Sequence, residues 1–196
     1  EGTELKEDIA AKKIGQAVKD GIPSISLDKE NCYNNPEYTS KSDKLVSLTK
    51  EMNKKLKGSI TYKFGKQVVV LDKNTYSSWL KTKKDYSGYK VDKNAMENWL
   101  LKFMYKYNTQ YGWHKFKTHD GRTKKIYGGP YGWRISKDKE MASVKKMLKE
   151  GTTETREPYW REKAKVYDGV NGDIGDTYVE VDMGAQTVYY YKKGKL

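Results

Sequence analysis

The chain has 196 residues, with 39 Lys and Arg against 26 Asp and Glu, which leaves a formal charge of +13. That length holds one substantial domain, or one domain and part of another. No run of about 18 apolar residues could form a membrane-spanning helix, and the single cysteine, Cys32, excludes both an internal disulfide and a cysteine-based zinc site.

Glu1 stands where a Met would open a nascent chain, so an excised or processed product is expected, without a signal peptide. Glu4 to Asp20 has the spacing of a helix, stopped by Gly21 and Pro23. Ile25 to Leu27 reads as a short strand, and Asn34-Asn35-Pro36 as a turn. A second helix, capped by Ser40 or Ser42, runs to Leu56 with Leu45, Leu48, Met52 and Leu56 on one stripe, and Gly58 ends it. Ser59–Phe64 and Gln67–Leu71 then form a hairpin whose Gly65-Lys66 turn suits type II′. Asp72 caps a short helix to Leu80. Asp92 caps a longer one that buries Met96, Trp99, Leu100, Phe103 and Met104.

A second hairpin is expected from Trp113 to Ile126, with Asp120-Gly121 as a type I′ turn. Gly128-Gly129-Pro130 breaks it, and Tyr131 to Ile135 follows as a strand. Ser136 caps a last helix with Met141, Val144 and Leu148 inward, closed by Gly151. Thr152 to Asp176 lacks a helical or strand period and reads as an extended connector. Tyr178–Met183 and Thr187–Tyr191 form a final hairpin around Gly184-Ala185-Gln186, and Lys193-Gly194 offers a turn with no strand after it. The pattern predicts an α+β fold, with helices packed on antiparallel hairpins. It predicts three parts: a domain over 1–151, a connector over 152–176, and the opening of a truncated second domain over 177–196.

Candidate chemistry is sparse. His114 and His119 lie five apart on or beside a hairpin; a metal needs three or more converging ligands, Asp120 beside His119 supplies only adjacency, and both read as surface histidines. Glu154 and Glu157 read as partners for neighbouring Lys and Arg rather than as a glycosidase pair. Cys32 has no His beside it in sequence and reads as an inert thiol. No cofactor motif is present; the Gly-rich run is no phosphate loop, since no Gly-Lys-Ser/Thr end follows. The best binding candidate is Gly128, Gly129, Tyr131 and Trp133 with Tyr127 and Trp113. There glycines permit close backbone approach and aromatic faces can stack on sugar rings. The alternative is a tight turn with Trp133 packed in the core. Basic clusters at Lys81–Lys84, Arg122–Lys125 and Lys192–Lys195 would attract a polyanion or simply be solvated.

The run Asp173 to Asp182, with Gln186 and Tyr189 to Lys195, resembles the first hairpin of YkuD-type L,D-transpeptidase catalytic domains. The part before it resembles the peptidoglycan-binding domain that precedes that catalytic domain in Gram-positive relatives. The features that carry the likeness are Asn53-Lys54 before Ile60-Thr61-Tyr62, Trp79-Leu80, Tyr107-Asn108-Thr109, Phe116-Lys117-Thr118, Gly128-Gly129, Tyr131-Gly132-Trp133 and Arg156-Glu157-Pro158. The resemblance implies an extracytoplasmic protein whose parent forms 3→3 peptidoglycan cross-links through a cysteine acyl-enzyme. The family's Ser-x-Gly-Cys and His-Gly motifs do not occur here, so no catalytic residue is assigned. The expected role is to bind peptidoglycan or another anionic wall polymer and to position the parent's catalytic domain. A spacer without glycan binding is the alternative. Nucleic-acid binding rests on charge alone, with no recognised motif, and is not expected.

Overall fold

The computed structural model describes residues 4–34, 36–169 and 171–196. The turn chemistry expected at Asn35, and Glu1, lie outside the described residues. The chain divides into two compact units, Glu1–Thr49 and Lys50–Leu196, so the sequence-based boundaries after 151 and 176 both fall inside the second.

In the first unit, strand β1 (Glu4–Leu5) precedes helix α1 (Glu7–Lys19) and pairs antiparallel with β2 (Tyr33–Asn34). The helix starts three residues later than its spacing predicts. Glu4 and Leu5 belong to the strand pair instead, which Lys6 N–H extends by donating to Cys32 O at 2.8 Å. Glu7 and Asp8 at its start and Lys19 at its end oppose the helix dipole. Ile25–Leu27 is not a strand. Glu30 N–H donates to Ser26 O and Cys32 N–H to Leu27 O, so these carbonyls close local turns. Helix α2 (Asp43–Lys55), which continues past Thr49 into the second unit, follows the predicted stripe and buries Leu48.

The second unit holds the main core. Strands β3 (Ser59–Phe64) and β4 (Gln67–Leu71) pair antiparallel from Ile60↔Leu71 to Phe64↔Gln67, and Gly65 takes the positive φ (53°) that the two-residue turn requires. Ile60, Tyr62 and Phe64 alternate inward and are all buried. Asp72 caps α3 (Lys73–Tyr76), which tightens into a 3₁₀ turn over Ser77–Trp79. A short hairpin that the sequence reading did not contain follows, β5 (Leu80–Thr82) with β6 (Tyr89–Val91). The Asp92 carboxylate accepts from Ala95 N–H and opens α4 (Lys93–Tyr107), whose buried face is Met96, Leu100 and Phe103; Trp99 and Met104 are partly buried against the same core.

Strands β7 (Trp113–Lys117) and β8 (Thr123–Tyr127) form the next hairpin, and β9 (Arg134–Ile135) is shorter than predicted. Helix α5 (Lys137–Glu150) ends at Gly151 in the left-handed conformation, as its C′ position predicts, although the Ser136 hydroxyl makes no capping bond. Its inward face is Glu140, Val144, Met147 and Leu148. Met141 is only partly buried.

Within the expected connector two short stretches, Thr153–Arg156 and Trp160–Glu162, are paired strands, and 173–176 is a turn. Strand β10 (Thr153–Arg156) lies parallel to β3, giving a three-stranded mixed sheet of order β10-β3-β4. Strand β11 (Trp160–Glu162) pairs with β9. Tyr167 and Trp160 then reach back into the core, with ring centroids 4.9 and 5.6 Å from Phe64. The last hairpin, β12 (Tyr178–Asp182) with β13 (Thr187–Tyr191), has the predicted alternation. Val179, Val181, Val188 and Tyr190 are exposed, whereas Tyr178 packs edge-on against Phe116 at 5.1 Å.

Glu140 is fully buried (0 % exposed). Its carboxylate accepts from the Tyr62 hydroxyl, both terminal nitrogens of Arg156, and Tyr159 N–H, all at 2.5 to 2.9 Å. Burial and the adjacent carboxylate push the Tyr62 hydroxyl far above the ordinary tyrosine value. Removing one member of a buried pair strands the other, at a cost of about 3–5 kcal/mol. Arg156→Met should therefore lower unfolding stability by about that amount in urea titration, whereas Arg161→Met, on an exposed side chain, should leave it nearly unchanged.

Candidate functional site

The β7–β8 hairpin sets its two faces by strand alternation. Phe116 turns inward and is buried. The opposite face carries Trp113, Lys115 and Lys117 from β7, whose register partners are Tyr127, Lys125 and Thr123. Trp113 and Tyr127 are 70 % and 56 % exposed, with ring centroids 5.5 Å apart. They form a cross-strand aromatic pair that remains open to solvent. Immediately beside it Lys115 stands opposite Lys125, and among the described residues neither has a carboxylate within ion-pair distance. Like charges directly opposed across a sheet are unfavourable. A ridge that begins with two rings and continues as lysines suits a sugar-containing or anionic polymer.

The hairpin tip differs from the expected type I′ turn. Thr118 N–H donates to Arg122 O and Gly121 N–H to Thr118 O, and only Gly121 takes positive φ (83°), so a three-residue loop replaces a two-residue one. Asp120 holds the Arg122 side chain and the Thr118 hydroxyl, and these bonds keep its carboxyl well below the ordinary range.

The Gly-rich turn closes the other end of the hairpin. Gly128 N–H donates to Gly112 O at 3.0 Å, and Tyr111 N–H to Gly129 O at 2.7 Å. A Cβ on Gly128 would meet His114 Nε2 at 2.4 Å, so glycine there admits the imidazole. Gly129 needs its freedom for φ of 53°, with open space around it. Tyr131 presents a half-exposed ring, but its hydroxyl is committed: it donates to Asp173 O and accepts from Lys165 N–H, both at 3.0 Å. Trp133 is buried. Its indole N–H donates to Val166 O at 2.5 Å, and its ring packs on Trp160 at 4.8 Å and Tyr167 at 5.7 Å. The six residues chosen from sequence thus separate into an exposed pair (Trp113, Tyr127), a backbone turn (Gly128, Gly129), a clamp (Tyr131) and a core residue (Trp133).

Beneath the turn lies a residue to which sequence reasoning gave no role. Asp173 is 3 % exposed, accepts from the Thr109 hydroxyl, and has His114 Nδ1 3.9 Å from its carboxylate. Burial raises its pKa above the ordinary aspartate value, against the opposing pull of the Thr109 bond and of His114. Its only sequence signal was its place at the start of the motif before the last hairpin. The histidines are not surface residues. His114 is almost enclosed. His119 stacks on Tyr189 at 3.8 Å and meets Glu180 at 3.0 Å, which pins the hairpin tip to β12 and β13. Cys32 is fully buried, as a packing residue would be. Glu154 and Glu157 face Arg156 and Lys163, respectively. Among the described residues, no group of three His, Cys, Asp or Glu could hold a metal, and no helix is long and apolar enough to cross a membrane.

A carboxyl whose folded pKa is raised favours the folded state most when protonated. Its contribution is full below the unfolded value of about 3.9 and is lost as pH rises through the folded value. Asp173→Asn should remove that decline: thermal unfolding followed from pH 4 to 7 should show a smaller loss of stability than in the parent chain.

Residues 38–156 match the model of a family described as "Putative peptidoglycan binding domain". Two solved structures are similar along most of the chain. One is a cysteine-to-serine mutant of an Enterococcus faecium L,D-transpeptidase, 28 % identical, TM-score 0.57, covering 76 % of this chain and 58 % of that one. The other is the Ldtfm–avibactam carbamoyl enzyme, 27 % identical, TM-score 0.57, covering 77 % and 58 %. The chain therefore spans little more than half the length of the structures it matches. No curated protein matches it. Since the family match takes in well over half of the 196 residues, and the ridge, turn and α5–β10 core lie mostly within it, the chain belongs to this family of peptidoglycan-binding domains.

Proposed function

We propose that the chain carries a non-catalytic wall-binding module that holds a parent L,D-transpeptidase on peptidoglycan. The observation that carries the reading is the outward face of β7–β8, where an exposed Trp113–Tyr127 pair adjoins the opposed Lys115 and Lys125. Aromatic faces stack on the apolar faces of sugar rings, and the lysines attract carboxylates or phosphates of a wall polymer. Each contact is weak. Tethering raises the effective concentration of substrate at an attached catalytic domain without any single tight site. The L,D-transpeptidase identity of the similar structures supports an extracytoplasmic setting and a parent that forms 3→3 cross-links. The parts proposed for such a parent are a binding domain to 151, a connector to 176, and the first hairpin of a catalytic domain beyond it.

Co-sedimentation with purified sacculi tests this reading. The parent chain should pellet at moderate salt. Trp113→Ala with Tyr127→Ala should reduce retention about tenfold or more, a loss of roughly 1.4 kcal/mol, with unfolding stability nearly unchanged because both rings are exposed. Tyr131→Phe, which removes only the clamp hydroxyl, should lower stability more than retention. Equal retention by the double variant would exclude the ridge.

A further inference from the structure

The mixed sheet of the second unit ends at β10, which has β3 on one side and no strand on the other among the described residues. One hydrogen bond sets the phase of that edge. Ser59 N–H donates to Thr152 O at 3.0 Å, and Ser59 is the register partner of Thr153. In a parallel ladder, alternate residues of a strand carry the bonds to its neighbour. Thr152, Glu154 and Arg156 therefore turn their main-chain groups to β3, while Thr153 and Thr155 turn N–H and C=O outward. Both threonines are exposed. Unused edges are commonly blunted by proline, a bulge or an outward charge. None occurs here, because the charged side chains of β10, Glu154 and Arg156, bond to each other and to Ser143 on α5.

A groove of about 540 Å³ runs beside this edge, with β10 as one wall and α5 as the other, and includes Lys139, Ser143, Lys146, Glu150, Thr153 and Tyr159. A helix facing a free strand edge is the shape that receives an extended peptide as an added strand. Its charges are ordered. Lys139 and Lys146, two turns apart, are exposed on one face of α5, and among the described residues neither is in an ion pair. Glu150 lies a turn beyond Lys146, next to Gly151 and the start of β10. Along the groove the charges thus run ammonium, ammonium, carboxylate, with Lys139 at one end, Glu150 at the other, and Lys146 between them, a turn from Glu150.

The geometry points to an extended peptide carrying carboxylates and a free amine, laid along β10 as a fourth strand, with its carboxylates toward Lys139 and Lys146 and its amine toward Glu150. This rests on the wall-binding reading for the peptide's identity, which is the stem peptide of peptidoglycan. It assigns the stem to a surface separate from the aromatic ridge.

The test is titration of the isotope-labelled full chain with a stem tetrapeptide freed of glycan, read by amide chemical shifts and hydrogen exchange. The Thr153 and Thr155 amides should shift and gain protection as binding saturates. Thr155→Pro deletes an outward N–H but no bond to β3, and should weaken binding about tenfold, the worth of one hydrogen bond. Thr155→Val keeps the N–H and should bind as the parent does. Lys139→Glu with Lys146→Glu, on an exposed helix face that folding does not need, should weaken binding at least as much. Parent-like affinity in both Thr155→Pro and the lysine variant would overturn the inference. So would a peptide that fails to bind while ridge-dependent retention on sacculi persists, and in that case the wall-binding reading stands. Loss of both peptide binding and sacculus retention removes both. Protection of the edge amides that grows with protein concentration alone would assign the edge to a second copy of the chain, and would also overturn it.

Discussion

A buried carboxylate must be given donors, and the second unit is arranged around the four that Glu140 receives. The Tyr62 hydroxyl comes from β3, two Arg156 nitrogens from β10, and an N–H from Tyr159 beyond it. The Arg156 guanidinium also lies over the Tyr62 and Tyr159 rings, 5.0 and 4.2 Å from their centroids. Helix α5, β3, β10 and the approach to β11 must all be in place before the charge is neutralised. The arrangement also fixes register. A slip of one residue in β10 would turn Arg156 to the opposite face of the sheet and leave Glu140 without its cation.

That register determines where the rest of the chain goes. Past β10, Trp160 and Tyr167 reach Phe64 and Trp133, and Asp173 is delivered beneath the Gly-rich turn. There it binds the Thr109 hydroxyl, while its carbonyl receives the Tyr131 hydroxyl. The tip of the same hairpin is held by Glu180 and Tyr189 through His119. The exposed Trp113–Tyr127 pair is thus mounted on a strand pair held at both ends, so little ordering entropy remains to oppose a weak ligand.

Features decided locally were legible in the sequence. Asp72 and Asp92 cap helices, Gly151 closes one, and the alternation of Ile60, Tyr62 and Phe64 marks an inward strand face. Features decided by distant partners were not. Strand β10 reads Thr-Glu-Thr-Arg, with no apolar residue to alternate, because its inward side chains serve Glu140 and Ser143 rather than the apolar core. The β5–β6 hairpin was hidden by a lysine run that reads as a solvated cluster. At the site, the aromatics were visible as residue types. That Trp113 and Tyr127 meet while Trp133 is buried depends on register and on Val166, Trp160 and Tyr167, far along the chain. The opposition of Lys115 and Lys125 likewise appears only once the strands are aligned.

That opposition bears on what the ridge can recognise. Elsewhere in the second unit acids cap helices, and the buried Glu140 is paired with Arg156. Two lysines directly across a ladder repel, at Lys115–Lys125 as at Lys81–Lys90 in the β5–β6 hairpin, but at Lys115–Lys125 an exposed pair of rings adjoins them. An anionic group seated between them would convert their repulsion into attraction. The adjoining rings would contribute contact that salt does not screen, whereas the lysine contribution fades once ionic strength brings the Debye length to about 8 Å. A polymer that offers sugar rings and acidic groups together uses both halves of the ridge. A nucleic acid held by phosphates alone would use only the lysines and would lose affinity steeply with salt. The two rings beside the charges therefore favour a sugar-bearing wall polymer over the polyanion that net charge alone suggests.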